Sequence, residues 1–176
     1  MRSNQKRKSD SSKHTPEYLQ RYSREHLLYE VGMFFQLGRL LMTGPFLATP
    51  PEAAVVMHNA ALEAFVIHLR NLLDFFYTQE PLKTDVIAAM FYDAGNLPAD
   101  FPPKSSMLIT AHSKAHKGLS HLTTERAPEG SLEKDWKFHL LVMEIKQLFE
   151  KFLETASTAR LDPEFVQHTR KLLAMR

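Results

Sequence analysis

The most chemically suggestive segment runs from His112 to Thr123: His-Ser-Lys-Ala-His-Lys-Gly-Leu-Ser-His-Leu-Thr. His112 and His116 stand four residues apart. On a helix that spacing lets two imidazoles converge on one metal ion. A metal site needs a third ligand, and Glu63 or His68 are the candidates elsewhere in the chain. Neither aligns well with the pair, so the sequence predicts no bound metal and no cofactor. A second chemistry is acid–base work by His121, with Lys114 and Lys117 on the same helical face to hold phosphate. A solvated lysine face with two core-edge histidines would present the same pattern.

A second polar line runs through an otherwise apolar stretch. At about 100° per residue, Asn59, Glu63, Arg70, Asp74 and Tyr77 fall within about 60° of one another. Val55, Val56, Leu62, Phe65, Val66, Leu69, Leu72, Leu73, Phe75 and Phe76 surround them. Charges withdrawn from water cost several kcal/mol unless paired. Arg70 and Asp74 are four apart and can pair directly, whereas Glu63 would need another partner. Such a line is either the solvent face of an amphipathic helix or a polar seam against another helix.

These residues require helices to position them. Six glycines, no cysteines and a hydrophobic content of 44% over 176 residues describe one domain rich in helix formers. No stretch alternates with period two, and none repeats. Thr15-Pro16-Glu17 opens a first helix that runs to about Thr43, where Gly44-Pro45 stops it. Leu27, Val31, Phe34, Gly38 and Leu41 form its core stripe. A second helix extends from Thr49-Pro50-Pro51-Glu52 through Tyr77, apolar on nearly every side and therefore central. A short third helix is predicted over Thr84 to Tyr92, then an irregular stretch with three prolines from Asp93 to Lys104. A fourth helix spans Ser105 to Glu125, a fifth Ser131 to Ala156, and a last one Asp162 to Met175. The fold class is therefore all-α, a four- to five-helix bundle, with residues 15–176 as one domain. Leu62, Phe65, Leu69, Ile145 and Phe149 are its predicted core.

Composition excludes several classes. Without cysteine there are no disulfides, thiolate nucleophiles or zinc-thiolate sites. No apolar run reaches the roughly 18 residues of a membrane span. No phosphate-binding glycine loop or nucleophile elbow is present. Arg2, Lys6, Arg7, Lys8 and Lys13 stand against Asp10 near the N-terminus. They account for four positive charges, so the +2 of the chain turns to −2 in the remainder. Residues 1–14 read as a solvated basic tail without the apolar core of a secretory signal. The expected location is cytoplasmic.

Residues 68 to 77, His-Leu-Arg-Asn-Leu-Leu-Asp-Phe-Phe-Tyr, together with 117 to 123, Lys-Gly-Leu-Ser-His-Leu-Thr, resemble the HEPN-like family. That resemblance implies a small α-bundle, often a homodimer, that binds RNA or cleaves it without metal in toxin–antitoxin, phage-defence or RNA-processing settings. Other members are inactive protein-binding modules. The family motif is an arginine and a polar residue with a histidine five to seven positions later. Here His121 fits the histidine, but His116 stands where the arginine belongs, and Arg70-Asn71 has no histidine after it. The resemblance thus implies His121 as acid/base and Arg70, Glu63 and His116 as the rest of a degenerate catalytic set. Lys114, Lys117, Asn59, Asp74 and Tyr77 would contact substrate. A protein-interaction module without catalysis is the alternative. The chain is also similar to DinB-like metal-binding bundles, which would use His112 and His116 with His68 or His58. On the helical wheel His68 points away from the polar line, and His58 lies about 100° from it.

Overall fold

The computed structural model describes residues 15–44, 50–120 and 136–174, and it is an all-α bundle with no strand among them. The order is α1 (Pro16–Tyr22), a π-helical turn (Ser23–Leu27), α2 (Leu28–Thr43), α3 (Pro51–Tyr77), a 3₁₀ turn (Ala88–Phe91), α4 (Ser106–Ser120), α5 (Phe138–Thr155) and α6 (Pro163–Ala174). No described helix is long and apolar enough to cross a membrane. The basic tail, the segment from His121 through Asp135 and Met175 lie outside the described residues.

The helix starts and stops follow local chemistry. Thr15 caps α1, its Oγ1 accepting from the Tyr18 amide at 3.2 Å, and Pro16 takes the first position, where no amide is needed. At the far end of α2, Gly44 adopts φ of 59° and returns its amide to the Leu40 carbonyl. A left-handed terminus of this kind favours glycine. Between them the predicted first helix is not uniform. Ser23 is buried, donates its hydroxyl to the Gln20 carbonyl at 2.7 Å and accepts from the Asp162 amide at 3.0 Å. This bridge joins the π turn to the start of α6, a long-range contact that local sequence does not announce.

Leucine and phenylalanine make up most of the core. Phe34 of α2 stacks on Phe65 of α3 with centroids 4.8 Å apart, and Phe76 meets Phe149 of α5 edge to face at 5.0 Å. Leu62, Phe65, Leu69, Ile145 and Phe149 are all buried, as the helical spacing predicts. Gly38 sets how closely α2 can lie. A Cβ there would come within 2.7 Å of Val142 Cγ2 and 3.2 Å of Phe65 Cε2.

Three expectations change. α3 is central only from Ala61 onward; Val55 and Val56 in its first half are 60% and 67% exposed. The helix predicted over Thr84 to Tyr92 is a single 3₁₀ turn flanked by extended Ile87 and Tyr92. Two tethers hold this segment: Asp85 Oδ2 accepts from the Leu82 amide, and Ser157 donates its amide to the Phe91 carbonyl. The fifth helix begins at Phe138, since Trp136 and Lys137 are not helical.

The irregular stretch after Asp93 is strapped to the bundle. Phe101 is buried against Phe76, Lys151 binds Asp100 at 2.6 Å, and Tyr77 donates its hydroxyl to the Pro102 carbonyl at 3.1 Å. This strap fixes where Lys104 enters α4.

Phe65→Ala and Phe149→Ala should each cost about 3–5 kcal/mol in chemical denaturation. Gly38→Ala should cost about 1–3 kcal/mol by overpacking, while the exposed Val56→Ala should stay within about 0.5 kcal/mol.

Candidate functional site

Two polar clusters flank the second half of α3. The first joins α3 to α4. Asp74 Oδ1 accepts from His112 Nε2 at 2.9 Å, and Lys104 Nζ lies 2.7 Å from His112 Nδ1. The two contacts fit a neutral ring: the lysine ammonium donates to Nδ1, and Nε2–H donates to the carboxylate. Burial pushes the His112 pKa below its ordinary value, and Lys104 adds to that shift, against the opposing pull of Asp74. Lys104 is itself lowered by burial, though Asp74 draws it back up. Arg70 Nε sits 3.6 Å from Asp74 Oδ2, buried and too distant for a hydrogen bond. One carboxylate is thus flanked by a guanidinium on its own helix and, through a histidine, by an ammonium from the strap.

Tyr77 supports this cluster from below. Lys104 Nζ stands 5.6 Å from the centre of its ring. Burial and the charge of Glu144 raise the Tyr77 pKa to about 12, so its hydroxyl is a fixed hydrogen-bond donor and not a proton carrier. The start of α4 is held by Ser105, which caps the Leu108 amide and donates to Glu144 of α5.

The second cluster joins α3 to α2. Glu30 Oε2 accepts from His68 Nδ1 at 2.7 Å and from Asn71 Nδ2 at 3.1 Å. His68 is almost fully buried, with Tyr29 edge-on 5.5 Å away. Burial alone would raise the Glu30 pKa, but the hydrogen bonds from His68 and Asn71 outweigh it and hold the carboxyl below its ordinary value. Between the clusters opens a cavity of about 500 Å³, lined on its polar side by Tyr22, Glu30, Arg70, Asn71, Asp74 and Asp85.

The residues singled out from sequence are thereby divided. Arg70, Asp74, Tyr77, His112 and His116 come together. Asn59 and Glu63 are exposed, about four and three turns further up α3 from Asp74. Lys114, two residues on from His112, leans over the Trp136 indole at 5.8 Å, on the α5 side of α4. The Lys117 side chain and His121 lie outside what is described. For the metal reading, His68 is committed to Glu30, and Glu63 is remote. Asp74 is the carboxylate that reaches the histidine pair. Its oxygen and one nitrogen each from His112 and His116 lie within 4.8 Å of one another. Sequence reasoning missed Lys104 altogether; its only signal was a lysine after two prolines at a helix start.

No family model, curated protein or solved structure matches the chain significantly.

The lowered Glu30 pKa gives a signed pH dependence. The stabilisation is complete above the unfolded value near 4.5 and is lost as pH falls through the lower folded value. Wild-type stability should therefore fall more steeply between pH 5 and 3 than that of Glu30→Gln, both followed by urea unfolding. Parallel curves would remove the carboxylate from this role.

Proposed function

We propose that this protein is a HEPN-like RNA-binding bundle whose catalytic motif is degenerate. The observation that carries the reading is the chain of contacts Arg70–Asp74–His112–Lys104 where α3 meets the start of α4. It lies on one of the two helices whose sequence resembles that family and at the start of the other. Two cations around one carboxylate leave positive charge available for a phosphate, next to a cavity large enough for part of a nucleotide. Arg70 lines that cavity beside Asp74 with its side chain 37% exposed, so its guanidinium can meet an anion there.

Cleavage is a separate matter. His112 with Asp74 makes a histidine–carboxylate pair of the kind used in acid–base catalysis. In the resembling motif, however, His116 replaces the arginine. An imidazole cannot make the bidentate contact a guanidinium makes to phosphate. The reading is therefore of binding, with a homodimer in a bacterial stress or defence setting as its context. A non-catalytic protein-interaction module is the second reading. The observation favouring it is the exposed apolar run Val55, Val56 and Met57 on the first half of α3.

Single-stranded RNA in EDTA, followed by fluorescence anisotropy, provides the test. Arg70→Ala and Lys104→Ala should each weaken binding several-fold and lower the salt slope by about 1, with Asn59→Ala unchanged. Cleavage by the wild type should stay at background. RNA binding that is absent, or indifferent to both substitutions, would leave the interaction module ahead. Robust cleavage abolished in His121→Ala would contradict the degenerate site.

A further inference from the structure

We propose that Asp74, His112 and His116 form a binding site for one divalent transition-metal ion. This goes beyond the RNA reading and does not depend on it. The two histidines stand one turn apart on α4 with ring centres 4.8 Å apart and planes at 74°. The carboxylate comes from the neighbouring helix, already in hydrogen-bond contact with one of the rings. With one ligand atom from each residue, all three atoms lie within 4.8 Å of one another. Tetrahedral zinc, with bonds of about 2.0–2.1 Å, holds its ligand atoms about 3.4 Å apart. Closing the set takes a movement of about 1–1.5 Å, within reach of a rotamer change at His116, whose side chain is exposed.

The donor set defines the ion. Two imidazoles and one carboxylate suit zinc, cobalt, nickel or iron(II). Magnesium and calcium prefer all-oxygen sites. Three protein ligands leave a fourth position, and the exposure of His116 opens it to water, as in metal sites that bind or activate a ligand. Asp74 supplies the one negative charge of the set.

Lys104 opposes the ion. It contacts Nδ1 of His112, the ring nitrogen away from Asp74. A metal on Nε2 moves the ring proton to Nδ1, which would then face a cationic donor instead of an acceptor. Lys104 must therefore leave Nδ1 when metal enters. The lysine acts as the resident cation that a metal displaces.

The experiment uses untagged full-length protein, stripped of metal and titrated with Zn²⁺ by calorimetry and with Co²⁺ by visible absorption. One ion per chain is expected, with ligand-field bands for Co²⁺. His116→Ala and Asp74→Asn should each weaken binding by at least about 10-fold. Lys104→Met should tighten it, and His139→Ala, remote and exposed, should leave it unchanged. Zinc should also raise the melting temperature of the wild type but not of His116→Ala, which reports binding to the folded chain. Absence of one-to-one binding, or equal affinity in wild type and His116→Ala, would overturn the site. So would a loss in His139→Ala matching that in His116→Ala, since the ion would then be adventitious.

Discussion

The hydrogen bond between Asp74 and His112 is the contact on which the polar organisation of this bundle depends. It spans α3 and α4 at 2.9 Å and gives each partner what burial demands. A half-buried carboxylate needs donors, and a histidine drawn out of water is driven neutral, so it offers one N–H and one bare nitrogen. The bare nitrogen then takes Lys104, and the free side of the carboxylate faces Arg70. Each group is placed by the one before it. The strap from Asp93 to Lys104 matters for the same reason: the burial of Phe101 and the Tyr77–Pro102 hydrogen bond fix the entry of Lys104 as much as any charge does.

Much of the scaffold could be read from residue order. Thr15-Pro16, Gly44, Pro51 and Pro163 mark helix limits through rules that act over four residues, and the core faces follow from spacing. Rules of that range fail where a distant contact decides. Ser23 lies in a π turn and accepts the Asp162 amide on its hydroxyl, and the segment from Thr84 to Tyr92 forms only one 3₁₀ turn, whose Phe91 carbonyl accepts from the Ser157 amide. Arg70 and Asp74 were legible as a pair four residues apart. Their relation to His112 was not, because it is set by the register of α3 on α4. Lys114, two residues on from His112, packs over Trp136 on the α5 side of the same helix.

The two proposals use the same carboxylate differently. Phosphate would draw on the cations around Asp74, whereas a metal ion would use Asp74 itself with His112 and His116. His116 is the point of contact between them. It stands where the proposed HEPN-like motif would have an arginine, and it lies with Asp74 and His112 in one donor set. An imidazole makes no bidentate phosphate clamp but can ligate a metal ion. On the other side of α3, Glu30 holds His68 and Asn71 in a separate network, so the cavity between the clusters has one wall fixed by an acid and the other by an acid shared with two cations.

The protonation of His112 tests the central contact most directly. Long-range proton–nitrogen NMR correlations on metal-free protein at pH 7 distinguish the two neutral tautomers and the charged ring. The account predicts a neutral His112 protonated on Nε2, with Nδ1 bare, and a change in this pattern in Asp74→Asn. A ring protonated on Nδ1, or on both nitrogens, or one indifferent to Asp74→Asn, would contradict it.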